Sequence, residues 1–209
     1  MSKALVLLLL ACAAPVLEAS ELDLITINTA SLPAATKGYV DFLFNGGGTK
    51  FDPATASITN FSGGTLNPAS ISRTAATGTL PAPVLLTNSN GEYLEGITFG
   101  AGISFYLQLS GTAVDSPSGT AGSGSTFTLS LLNATQDGAY LTSDQTDGFI
   151  LEFNIDTRGN ITHTTFPTES GAPSVVSVQA VPEPGTWLLC CAAFGIVAFV
   201  HRVRVHGIR

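Results

Sequence analysis

The sequence predicts an all-β body: a single antiparallel β-sandwich, jelly-roll-like or of a similar Greek-key arrangement. Three observations predict it. Apolar and polar residues alternate with period two along most of the stretch from 22 to 180, glycine- and asparagine-rich turns punctuate that stretch, and no ten-residue window shows a helical period. Alternation with one polar face is the pattern of an antiparallel sheet that rests one side on a core. Eight to ten such runs without helices describe a sandwich.

In chain order, the first run covers 22–29. The second sets Val40, Phe42 and Phe44 against Tyr39, Asp41 and Asn45, and Asn45-Gly46-Gly47-Gly48 ends it. Runs at 56–61 and 70–75 flank the turn Ser62-Gly63-Gly64. A short run at 84–87 meets Asn88-Ser89-Asn90-Gly91, and another follows at 97–99. The cleanest run places Ile103, Phe105, Leu107 and Leu109 on one face and Ser104, Tyr106, Gln108 and Ser110 on the other. Residues 111–125, rich in Gly, Ser and Thr, predict a flexible loop. After a run at 127–131, Phe149, Leu151, Phe153 and Ile155 alternate with Glu152, Asn154 and Asp156. Residues 156–160 then predict a tight hairpin with Gly159 at positive φ. The stretch 167–181 is expected to be a last strand, at 175–178, leading into a short spacer. No internal repeat is visible.

Charge and cysteine usage narrow the classes. Between 21 and 181 there are four Lys and Arg against thirteen Asp and Glu, a net charge of −9, within a chain of −7. No basic stripe exists, which excludes a nucleic-acid partner. The three cysteines are Cys12, Cys190 and Cys191, so the body has neither a disulfide framework nor a thiol nucleophile. A body of this length buries a core without such staples.

Both chain ends read as addresses. Lys3 precedes the apolar stretch 4–14, the form of a secretory signal peptide, expected over 1–19 with cleavage after Ala19, or alternatively after Ala13. Cys12 has a loose likeness to a lipoprotein box. At the other end, Pro182 and Pro184 hold Glu183 in an extended, strand-like presentation. An apolar run at 187–200 follows, extended by its flanks to a transmembrane segment over 186–203, then a basic tail, 202–209, with Arg202, Arg204 and Arg209. A run of this length also suits a buried core helix. Its place behind a Pro-rich break and before a basic tail favours an anchor whose arginines face the cytoplasm.

The order Pro182-Glu183-Pro184, apolar segment, arginines resembles the PEP-CTERM sorting signal of Gram-negative bacteria, although the basic end is less compact than an arginine cluster. The likeness covers about 25 residues, 181–209 forming the sorting signal and 20–180 the ectodomain. It implies that Pro182, Glu183 and Pro184 are the processing motif, that Arg202, Arg204 and Arg209 retain the chain in the membrane, and that exosortase is a partner. It also implies passage through the Sec translocon, an intermediate anchored in the inner membrane, and a destination at the cell surface or in the extracellular matrix. This chain would be the substrate of exosortase, not its catalyst.

The body offers little chemistry. His163 is its single histidine, beside a hairpin, and a solvated strand histidine accounts for it. No Gly-x-Ser-x-Gly or His-Glu-x-x-His pattern occurs. Glu92 and Glu95 stand three apart, so on an extended chain they face opposite ways and cannot share a glycosidase site. Asp137, Asp144 and Asp147 are candidate calcium ligands, but their spacing is not that of an EF-hand and Asx turns explain them equally. No metal and no cofactor is therefore expected. Tyr39, Tyr93, Tyr106 and Tyr140 would make a sugar-stacking platform if two of them shared a face. The expectation is a non-enzymatic structural or adhesive component of an exopolysaccharide or biofilm matrix, with a carbohydrate-binding surface protein as the alternative.

Overall fold

The structure, a computed structural model, describes residues 22–181. The expected signal peptide, Cys12, the motif Pro182-Glu183-Pro184, the transmembrane segment with Cys190 and Cys191, and Arg202, Arg204 and Arg209 lie outside the described residues. Among the described residues no helix is long and apolar enough to cross a membrane.

Twelve strands form the body: β1 (Leu22–Asn28), β2 (Lys37–Gly46), β3 (Thr55–Ser62), β4 (Thr65–Thr74), β5 (Ala76–Gly78), β6 (Val84–Thr87), β7 (Gly91–Thr98), β8 (Gly102–Ser110), β9 (Ser125–Asn133), β10 (Phe149–Ile155), β11 (Ile161–Thr165) and β12 (Val176–Val181). One helical turn, α1 (Thr112–Asp115), sits between β8 and β9. The strands make two six-stranded antiparallel sheets, ordered β12-β1-β8-β3-β6-β5 and β11-β10-β9-β2-β7-β4. The pairs β1 with β8, β2 with β7 and β3 with β6 nest inside one another. That nesting, with the strands from β1 to β5 and from β6 to β9 alternating between sheets, is the jelly-roll scheme.

Special residues make the crossings between sheets. Between β3 and β4 the chain changes sheet through Gly63 and Gly64, both at positive φ. A Cβ on Gly63 would stand 2.1 Å from the carbonyl oxygen of Gly102, so only glycine fits there. At the crossing from β6 to β7 the side chain of Asn88 is buried. It accepts from the Ala54 N–H (3.0 Å) and donates to the Asp52 carbonyl and the Ser125 hydroxyl (both 2.8 Å). One amide thus ties together three segments far apart in sequence, and loses nothing to desolvation because its groups are paired.

The core lies between the sheets and is built from the alternating apolar positions. Phe42 meets Phe105 edge-on at 5.3 Å and stacks near Phe127 at 6.1 Å, while Phe61 stacks on Phe105 at 6.3 Å. These rings are buried from both sheets, so each contributes area burial and a favourable ring geometry.

Several local expectations change. The strands number twelve, above the expected eight to ten: β5 is too short to alternate and β11 is a largely exposed edge strand, while β7 begins at Gly91, ahead of the expected run at 97–99. The loop at 111–125 contains α1 and is held to the body: the Ser118 N–H donates to Asp52 Oδ2 at 2.7 Å and the Gly122 N–H to the Lys50 carbonyl at 2.9 Å. No spacer follows the last strand within the described residues, since β12 stays paired through Val181, opposite Leu22. The hairpin at 156–160 forms as read, with Gly159 at φ 86° and Asp156 accepting from the Arg158 and Asn160 N–H groups.

Candidate functional site

The residues singled out from sequence are mostly spent on structure. Asp137 is exposed and accepts from the Asn133 amide and the Thr135 hydroxyl, each at 2.7 Å, and these bonds hold its carboxyl below the usual carboxylate range. Asp144 accepts from the N–H groups of Thr146, Asp147 and Phe149 at 3.2 to 3.3 Å, closing its own turn. Among the described residues no three His, Cys, Asp or Glu side chains gather as metal ligands. His163 lies on the edge strand β11 with its ring 5.4 Å from that of Phe153.

The tyrosines do not form a platform. Tyr39 points from the outer face of the β2 sheet and Tyr106 from the outer face of the β8 sheet. Tyr93, expected on the surface, is wholly buried between the sheets. Tyr140 packs edge-on against Phe99 at 5.8 Å, at one end of the sandwich.

The most unusual chemistry is acidic and buried. Tyr93 and Glu95 both face the core from β7, across from Phe42 and Val40 of β2. The Tyr93 hydroxyl donates a short hydrogen bond to Glu95 Oε2 and accepts from the Leu80 N–H at 2.9 Å. Burial pushes the Glu95 carboxyl up, while the Tyr93 hydroxyl and nearby Arg73 pull it down; Oε1 has no hydrogen-bond partner. Glu92 lies on the opposite face of the same strand, as strand parity requires. On the outer face of that sheet, Asp41 is only 8% exposed and its Oδ1 is unpartnered. Burial, reinforced by the charge of Glu92, pushes its carboxyl up to about 7.

No family model, curated protein or solved structure matches this chain. Any site must therefore be read from its own geometry.

Asp41 yields a measurable consequence. Its raised value means that the folded state binds a proton more readily than the unfolded chain, so its ionisation opposes folding above about pH 7 and that cost fades as pH falls toward 3.8. Asp41→Asn should therefore raise the melting midpoint in mildly alkaline buffer and lose that advantage in acid. Parallel melts of parent and variant across this range check it; a constant offset, or a lower midpoint at high pH, contradicts the assignment.

A cleft of about 690 Å³ opens at one end of the sandwich, between the segment after β1, residues 139–141 and residues 168–175. Its walls are fixed by hydrogen bonds. The Tyr140 N–H donates to the Leu131 carbonyl at 2.6 Å, and the Ser143 N–H to Pro167 at 2.7 Å. Gln145 Nε2 donates to Glu169 Oε1 at 2.8 Å, crosslinking two loops. Thr168 and Ala172 close a turn through Gly171, at φ 74°. Leu141 lines the cleft with φ 63°, a left-handed conformation rarely tolerated by a bulky side chain. Sequence reading passed over this cleft because its three segments carry no shared motif.

Proposed function

We propose that this chain is an exported, non-catalytic structural or adhesive protein of the cell surface or extracellular matrix, delivered through its C-terminal sorting signal. The observation that carries this reading is the order Pro182-Glu183-Pro184, apolar run, arginines in the last residues of the chain. Exosortase would recognise the proline-bracketed carboxylate, with the arginines retaining the chain in the inner membrane until then. An acidic body without cysteine suits such a destination, since it needs no oxidative folding and stays soluble through its net charge.

The ends of the described body support the same reading. Leu22 and Val181 are neighbours on the β1–β12 ladder, so the segments leading to both expected addresses leave the body at one end. A body so attached presents its opposite end outward. Intact-mass and C-terminal peptide analysis of the protein recovered from the producing cell tests the proposal. The mature chain should end near Pro184, without the apolar run; a surface protein that still ends at Arg209 would refute processing.

A further inference from the structure

We infer that the cleft at the end of the sandwich remote from Leu22 and Val181 is a binding site for a neutral oligosaccharide. Four observations carry the inference. Its volume, about 690 Å³, falls in the range of small-ligand sites. Its walls are preformed by the Gln145–Glu169 bond, the Ser143–Pro167 bond and the turn through Gly171, so a ligand would order little of the protein on binding. Leu141, in a strained left-handed conformation, forms part of the wall, and strain of this kind gathers at ligand clamps. Finally, the site lies a strand length, about 20 Å, from the point where the chain leaves the body, so attachment there leaves the cleft open to a polymer outside.

The lining chooses the ligand class. Tyr140, Leu32 and Pro173 offer apolar surface, while Asn28, Ser31 and Ser170 offer amide and hydroxyl groups. A sugar ring has the matching duality, with C–H faces for the former and hydroxyls for the latter. Glu169 is the sole charged lining residue and no cation faces it there among the described residues. A uronate or sulfate would therefore meet a carboxylate with no counter-charge, on a body that already repels polyanions. Glu169 Oε1 already accepts from Gln145, and the rest of the carboxylate keeps acceptor capacity for sugar hydroxyls.

The test uses the full chain in mild detergent, titrated calorimetrically with neutral hexaoses of glucose, mannose and xylose, and with hexagalacturonate. At least one neutral hexaose should bind, with hexagalacturonate about ten-fold weaker or worse. Ser170→Trp, which fills the cleft from an exposed position, and Leu141→Gly, which removes wall surface while relaxing the backbone, should each weaken it by about ten-fold or more. Their melting midpoints should stay near the parent's; if Ser170→Trp unfolds, Leu141→Gly decides. Absence of binding to every neutral hexaose would overturn the proposal. So would equal or tighter binding of hexagalacturonate, or folded variants that bind as the parent does. Since binding is measured on purified protein, failure here leaves the sorting reading intact, which is tested by the mature C-terminus.

Discussion

Phe105→Asp should abolish the folded body: no cooperative melt, loss of the strand-type far-ultraviolet signal, and collapse of protease resistance. Phe105 is fully buried on β8, edge-on to Phe42 at 5.3 Å and stacked with Phe61 at 6.3 Å, so it bridges the two sheets. Truncating such a ring costs about 3–5 kcal/mol through lost transfer energy and the cavity left behind. The introduced carboxylate adds a further cost of several kcal/mol, since it would be placed inside the hydrophobic core against the rings of Phe42 and Phe61. Together these match or exceed the roughly 5–15 kcal/mol that holds a domain of this size. Phe105→Leu, which keeps an apolar side chain, should remain folded with a lowered midpoint. If the aspartate variant melts cooperatively near the parent's midpoint, Phe105 is not at the centre of the core. Phe153→Asp is a second probe at a site on the other sheet, where Phe153 meets Phe127 at 6.5 Å and is 1% exposed.

The strands that showed themselves in the sequence are those whose two faces differ in chemistry. β8 alternates because Ile103, Phe105, Leu107 and Leu109 face the core and their neighbours face water. β10 is legible through Phe153 and Ile155 for the same reason, although a bulge between Phe149 and Leu151 leaves Ile150 buried as well. β7 was legible only at its end. It turns Tyr93 and Glu95 inward, so the polar residue that should mark the wet face marks the dry one, and the Tyr93–Glu95 hydrogen bond replaces apolar contact. Asp41 alternated correctly with Phe42, but parity specifies a face and not the degree to which that face is covered. The calcium candidates were ambiguous in sequence because Asx turns and metal loops use the same residue types; in the structure Asp137 and Asp144 accept hydrogen bonds from their own loops. The cleft was invisible, since residues near 30, 140 and 170 meet only through the pairing of β1 with β12 and the loops that follow β9 and β11.

Replacing Pro182-Glu183-Pro184 by three alanines should leave export and the fold of the body unchanged while nearly abolishing C-terminal processing, so that full-length chain accumulates in the inner membrane. In the proposed sorting route the motif would contribute in two ways. Its prolines prepay conformational restriction, and giving that freedom back costs an enzyme that binds extended peptide about 1–2 kcal/mol per residue released. Its carboxylate offers a charge-assisted hydrogen bond, whose loss costs about 1.5–3 kcal/mol. Even a partial sum lowers kcat/KM by about a hundred-fold or more. The body should be indifferent, because the core is built from residues before Pro182 and proline has no N–H with which to join a strand ladder. The same geometry sharpens the comparison. β12 is an edge strand held by β1 alone and places only Val176 in the core, with Val178 packed against it, so an enzyme needing residues upstream of Pro182 can draw them from β12 at modest cost. Cell fractionation with immunoblotting separates the outcomes: full-length protein in the inner membrane supports recognition of the triplet, whereas processing and release at the parent's rate would remove Pro182, Glu183 and Pro184 as the recognition element and with them the proposed sorting route.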